Sequence, residues 1–209
     1  MSVKNRINKG LRKVPPWSLY FLALAYAAWM LWLGINNQLG ADPVKALEHK
    51  MGEMALYFLV AGLCVSPLKK IGGINLMQFR RAIGLVCFFF VAMHLLVWAV
   101  LDVQRLSEVW ADIVKRPYIT VGMASFAILL PLAVTSNNYS IRKIGGAAWS
   151  NLHKLIYLAA VLGGIHYVML VKGWQVRPLV FLALILGLIA WRYWSKRPAR
   201  QVPANSASG

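Results

Sequence analysis

The sequence predicts an all-α integral membrane protein, a bundle of six transmembrane helices, and three observations carry that reading. Of its 209 residues 59% are hydrophobic and 14% charged, and the charges gather in clusters between long apolar runs, so the solvent is a bilayer. Residues 17–35 run without a charge, as do 82–101, broken only by His94; either run is long enough to cross the hydrocarbon core. No segment alternates polar and apolar positions as a barrel strand would, and peptide groups in lipid must be satisfied within their own segment, which leaves helices.

The elements follow in order. A basic stretch at 1–16 precedes the first span, 17–35. A cleaved signal peptide has the same outline, but this run is too long and, with Trp29 and Trp32, too aromatic for one. Further spans are expected at 54–68, 82–101, 118–134, 155–171 and 178–191, the shorter ones extended by end residues such as Glu53 and Arg192 that snorkel to the interface. Between the third and fourth, RLSEVWADIVKRPY places Leu106, Val109, Trp110, Ile113 and Val114 on one helical face, the pattern of an interfacial helix lying on lipid or forming part of a partner's landing surface. The expected domains are the basic 1–16 segment, a 17–194 transmembrane domain and a small, polar, disordered tail at 195–209. The loops are too short to bury a core of their own, so chemistry belongs in the bundle or on a partner.

Short loops rich in Lys and Arg stay on the cytoplasmic side. With both termini cytoplasmic, sixteen of the 23 basic residues lie inside and all six acidic residues outside. Topology alone then explains the net charge of +17. The basic clusters read as contacts to anionic lipid headgroups, and no nucleic-acid role is expected. Cys64 and Cys87 fall within spans as small apolar packing residues, in neither a disulfide nor a zinc spacing.

Ionisable side chains inside a span are costly and mark function, so the four histidines are the informative positions. His94 on the third span and His166 on the fifth lie at comparable depth in the outer half of the membrane, roughly seven and five residues from their outer ends at about 1.5 Å per residue. Two such imidazoles facing across an apolar slot suit the iron of a six-coordinate b-type haem; hydrogen-bonded helix-contact residues are the competing reading. Phe88, Phe89, Phe90, Trp98, Tyr157 and Tyr167 are candidate walls, and Gly84, Gly163 and Gly164 candidate points of close approach. His153, at the inner end of the fifth span, is either a ligand of a second centre or an interfacial hydrogen-bonding residue. On a regular helix it lies about 140° around from His166, so one flat cavity would not hold both. His49, between Glu48 and Lys50, reads as a surface residue.

Several blocks together resemble the MsrQ (YedZ) family: LGADPVKALEHKMGEMAL at 39–56, RRAIGL at 80–85, the span around His94, KRPYITVGM at 115–123, VTSNNYSIRKIGGAAWSNLHKLIYL at 134–158 and IHYVMLVK at 165–172. The resemblance runs from about Trp17 to Trp194. It implies a ferric-reductase-like haem-binding membrane subunit of the bacterial inner membrane, not itself catalytic. Such a subunit passes electrons from the quinone pool or a cytosolic flavin reductase to a periplasmic molybdopterin-dependent methionine sulfoxide reductase, which repairs oxidised envelope proteins. The cofactors implied are haem b and, as a further candidate, FMN. Carried over by position, His94 and His166 match the outer haem ligands, and His153 a further family histidine.

The wider ferric-reductase relatives resemble two-haem stacks, with a second histidine on the third span thirteen or fourteen residues before the outer ligand. Counting back from His94 reaches Arg81 and Arg80. A guanidinium is a poor iron ligand but binds phosphate and carboxylate well. An inner site framed by Arg80, Arg81 and His153 is therefore expected to take an anionic cofactor, FMN or a haem with one protein histidine; cytoplasmic anchoring is the alternative role for the two arginines. A self-sufficient haem ferric or quinone-linked reductase is the alternative function. A transporter is disfavoured, because intramembrane acids and paired broken half-repeats are lacking.

Overall fold

In the computed structural model, which describes residues 3–171 and 173–195, the described chain is helical without strands. Six stretches are long and apolar enough to cross a membrane: Ser18–Ile35, Pro43–Gly72, Met77–Val103, Pro117–Val134, Gly146–Leu170 and Val176–Trp194. The tail beyond Ser195, with Lys196, Arg197 and Arg200, and the side chain of Leu106 lie outside the described residues.

Helix α1 (Val3–Lys13) is a short basic helix, tied to the turn after the second span by Asn8 Nδ2–H donating to the Gly73 carbonyl at 2.9 Å and by Asn8 Oδ1 accepting from the Asn75 amide at 2.9 Å. The first span is α2 (Ser18–Ile35). The second, α3 (Pro43–Pro67), starts eleven residues earlier than its apolar run at 54–68 predicts. The reason is local: Asp42 caps it by accepting from the Lys45 amide at 3.0 Å, and Pro43 at the first helical position has no amide to leave unpaired. This polar beginning raises the helix beyond the apolar core and carries Lys45, Glu48, His49 and Lys50 with it. After Pro67 the helix widens into a π-type turn, Leu68–Gly72, ended by Gly73 at φ 70°.

The third span is α4 (Arg80–Leu96), continued by a second π-type turn, Val97–Val103, that begins three residues after His94. The interfacial helix is present as α5 (Leu106–Lys115), where Val109 and Ile113 are half-buried while Trp110 and Val114 are exposed. Helix α6 (Pro117–Val134) is the fourth span. Two short helices, α7 (Asn138–Ile144) and α8 (Gly146–Leu152), and a 3-10 turn at His153–Leu155 lead into α9 (Ile156–Leu170); α10 (Val176–Trp194) completes the six.

Two antiparallel pairs organise the bundle, α3 against α4 and α6 against α9, with α2 and α10 on the flanks. One core cluster joins Ala23, Ala27, Met51, Ala55, Val86 and Phe90, and a second joins Leu56, Leu59, Cys87, Ala160 and Ile185. Lipid is as apolar as leucine, so these helices associate through close packing and inter-helix hydrogen bonds. Ala159 and Ala160, both without exposed surface, bring α9 close enough to α6 for Ser125 Oγ–H to donate to the Ala159 carbonyl at 2.9 Å. Ser125→Ala is expected to cost about 0.6 kcal/mol, the average of such bonds in membrane proteins, read as a small fall in unfolding midpoint in detergent. Large apolar side chains such as Phe21, Leu22 and Leu24 on α2 and Leu184 and Leu186 on α10 face outward, as a lipid-facing surface requires.

All six acidic residues gather at one end of the bundle, beside the α2–α3, α4–α6 and α9–α10 connections. Lys69, Lys70, Arg80, Arg81, Arg142, Lys143 and Arg192 gather at the other. These are called the acidic and the basic end below.

Candidate functional site

Each helix pair contributes one histidine to a cavity at the acidic end. On α4, His94 turns its Nδ1 to the Glu48 carbonyl of α3 at 2.9 Å. On α9, His166 turns its Nδ1 to the Tyr118 carbonyl of α6 at 2.7 Å. A carbonyl only accepts, so Nδ1 carries the proton in both rings and Nε2 keeps its lone pair. That is how proteins orient metal-bound imidazoles: the far nitrogen donates to a fixed acceptor and the near one is held ready. The rings are half-buried, 6.3 Å apart between centroids and inclined at 72°.

This spacing is itself a test. A metal–imidazole bond is about 2.0–2.1 Å and the ring centre lies roughly 1.1 Å beyond the nitrogen, so two rings on opposite sides of one metal stand about 6.3 Å apart. Two nitrogen donors are too few to enclose a bare ion; they suit iron whose four equatorial positions a macrocycle fills. The cavity around them measures about 830 Å³, at the upper end of the range for cofactor sites, about 300–1,000 Å³. The residues therefore fit a bis-imidazole haem.

The walls differ from those the sequence suggests. Trp98, Tyr167 and Gly163 line the cavity, joined by Phe126 and Tyr118. Phe88, Tyr157 and Gly84 line a second cavity instead. Phe90 is wholly buried in the core against Tyr26 and Phe58, with Phe89 edge-on to it. Gly164 serves helix packing: a Cβ there would stand 2.9 Å from Leu182. At the lip, Arg177 pairs with Glu53 and donates to the Tyr57 hydroxyl at 2.6 Å, and Lys50 reaches Glu53 at 3.3 Å. His49 is exposed at this lip.

The second cavity, about 640 Å³, lies at the basic end. Arg80, Arg81, Lys154, Arg192 and His153 line it, and among the described residues its lining holds no carboxylate. Arg81 donates to Asn138 Oδ1 at 2.9 Å. The sequence suggests only a snorkelling end residue at Arg192, yet it reaches inward: Nη1–H donates to Ser66 Oγ at 2.7 Å, the guanidinium lies 5.4 Å from the Tyr157 ring centre, and its buried Nε–H has no acceptor among the described residues. A buried donor of this kind calls for an acceptor. A ring of cations with an unmatched N–H fits a phosphate or carboxylate-bearing group.

His153 is placed in this second cavity with Arg80 and Arg81, apart from His166. The 3-10 turn at His153–Leu155 interrupts the helix between them. Its ring stacks on Trp149 at 3.9 Å, and its Nε2 lies 3.2 Å from Thr135 Oγ1. The Thr135 hydroxyl spends its own proton on the Pro131 carbonyl at 2.6 Å, so it accepts from His153, and the lone pair falls on Nδ1. Ligation through Nε2 requires that contact to break. Leu59, Cys87 and Leu129 line both cavities and form their common boundary.

The helix glycines Gly52 and Gly122, the Glu48 and Tyr118 carbonyls and the inward turn of Arg192 are what sequence reasoning missed. The signal available was an isolated glycine within a helical pattern, which in general marks a packing contact without saying with what.

Comparison with known proteins identifies the family. The family described as "Ferric reductase like transmembrane component" matches residues 51–164, which include His94, His153, helices α4 and α6 and α3 from Met51 on, and which end two residues before His166. The chain is 47% identical over 177 residues, 84% of its own length and 80% of theirs, to the protein-methionine-sulfoxide reductase heme-binding subunits MsrQ of Brucella ovis, Brucella canis and Brucella suis. The matched length, the identity and the six-helix bundle with its histidine pair lead to one assignment: the chain belongs to the MsrQ family of ferric-reductase-like transmembrane proteins.

Proposed function

We propose that the chain is a membrane redox subunit that holds a b-type haem between His94 and His166 and passes electrons through the bundle to a partner at its acidic end. The observation that carries this is the duplicated arrangement in which each Nδ1–H is committed to a carbonyl, with ring centres 6.3 Å apart. When bound, the haem supplies a one-electron iron couple. The protein's own residues do the rest: the two carbonyls fix the tautomers, Trp98, Phe126 and Tyr167 form apolar walls of the slot, and the lip carries Lys50 and Arg177 paired with Glu53 and Arg116 paired with Asp112, ion pairs that a docking partner could exchange for its own.

The relatives' name agrees with a protein-methionine-sulfoxide reductase catalytic subunit as the partner; in this reading that subunit is periplasmic and molybdopterin-dependent. The acidic end then faces the periplasm and the inner membrane is the location, as the distribution of Lys and Arg supports. The basic end receives electrons from quinone or a cytosolic flavin reductase. The second cavity, with Arg80, Arg81, Arg192 and Lys154, takes an anionic cofactor, FMN or a further haem with His153 beside it.

The test is the visible spectrum of the purified protein, followed by reconstitution. A reduced low-spin b-haem spectrum, with sulfoxide reduction that depends on an added periplasmic catalytic subunit, is the expected result. A colourless protein after expression with ample haem would end the reading. Turnover of ferric chelates or quinols without any partner would instead favour the self-sufficient reductase.

A further inference from the structure

The two histidines are held by the same device, built twice. On α3 the Glu48 carbonyl receives His94, and Gly52, four residues on, lies beneath the ring; on α6 the Tyr118 carbonyl receives His166, and Gly122, again four residues on, lies beneath it. Four residues is about one helical turn, so carbonyl and glycine share a face. In an α-helix that same carbonyl already accepts the amide of the residue four on, here the glycine itself. The imidazole thus shares the oxygen with the glycine amide and approaches directly over the glycine Cα.

A side chain at either glycine crowds the ring above it. A Cβ at Gly52 would stand 3.1 Å from His94 Nδ1 and 3.3 Å from Cε1; at Gly122 it would stand 2.8 Å from His166 Nδ1 and 3.0 Å from Cε1. Comfortable contact is about 3.5–4.0 Å. An alanine therefore pushes the ring off the helix and stretches or bends the Nδ1–H···O bond beyond its range of about 2.7–3.2 Å.

Resting on the haem reading above, we propose that Gly52 and Gly122 are positioning residues that set the tilt and the electron-donating strength of the two imidazoles, and through them the potential of the outer haem. A donated Nδ1–H gives the ring imidazolate character and favours ferric iron, so its loss raises the potential. The 72° inclination of the rings also matters, because imidazole planes far from parallel leave the iron dπ orbitals nearly degenerate and give a highly anisotropic low-spin EPR signal.

Glycine inside a helix is worse than alanine, so helix propensity alone would make both replacements stabilising. The experiment compares the haem-loaded parent with Gly52→Ala, Gly122→Ala and, as control, Gly187→Ala, whose added Cβ meets nothing within 4 Å. The readouts are a potentiometric titration and the EPR spectrum of the oxidised protein. Expected is a shift towards the reduced form of up to about tenfold in the redox equilibrium for Gly122→Ala, 59 mV for a one-electron couple, a smaller shift of the same sign for Gly52→Ala, an altered low-spin signal in both, and the parent's values for Gly187→Ala. Should Gly122→Ala fail to accumulate, Gly52→Ala, with the milder clash, decides. Parental potentials and spectra in the glycine variants would overturn the proposal while leaving the haem reading intact; a parent without haem would end that reading first.

Discussion

His166→Ala and His94→Ala are each expected to empty the acidic-end site, lowering haem content at least about a hundredfold, since loss of even an outer partner of a metal ligand costs 10–100-fold. The fold has little reason to suffer. Each carbonyl released by the histidine keeps its helical hydrogen bond, and the space vacated adjoins a cavity that is already open at the lip. Membrane insertion and the helical signal in circular dichroism should therefore match the parent. Glycine at the same positions with added imidazole should recover part of the b-type spectrum, because the slot and the opposite ligand persist. His153→Ala is the counter-case: its ring borders the other cavity and its Nε2 is engaged by Thr135, so the outer spectrum should survive. Haem lost only on replacing His153 would reverse the ligand assignment.

The second large effect is expected at the basic end. Arg192→Ala should reduce the amount of anionic cofactor that copurifies, measured as FMN and as haem, by roughly ten- to hundredfold, the equivalent of about 1.5–3 kcal/mol for a hydrogen bond to a charged group. The unmatched Nε–H is the reason for choosing this arginine over Arg81, which already has Asn138 as an acceptor. Arg192→Ala also gives up the Nη1–H bond to Ser66 and the contact with the Tyr157 ring, so cofactor content is expressed per folded, membrane-inserted protein. Arg192→Lys should restore little, since a point charge does not reproduce the planar fork. Unchanged FMN and haem contents in Arg192→Ala, with Arg81→Ala also silent, would reduce these cations to lipid anchors.

Much of the architecture was legible because a bilayer simplifies the code: apolar length fixes the spans, and the depth of His94 and His166 along them could be counted in residues. The span beginnings were less so. Residues 43–53 carry Lys45, Glu48, His49, Lys50 and Glu53 and so resemble a loop in hydropathy, although Asp42 and Pro43 are a sound helix start. Helix α1 was hidden in the same way, its few apolar positions outnumbered by lysine and arginine. The site's detail was illegible for a different reason. Which carbonyl a histidine meets depends on which helix lies beside it, and a backbone oxygen has no letter in the sequence. The aromatic wall was over-read: Phe89 and Phe90 are as aromatic as Phe126, but their side of α4 faces α2 and α3.

The boundary shared by the two cavities has a consequence for energy conversion. Leu59 and Leu129 offer no polar atom, and the Cys87 thiol is already committed to the Ala55 carbonyl at 3.3 Å. Side chains of this composition give protons no stepping stone, so if electrons pass between the two cavities as proposed, their charge crosses without a compensating ion. Such a passage is electrogenic. Its driving force then includes the voltage across the bilayer, about 2.3 kcal/mol per 100 mV for a charge that crosses the full thickness, and the turnover of vesicles containing this protein should respond to an imposed diffusion potential.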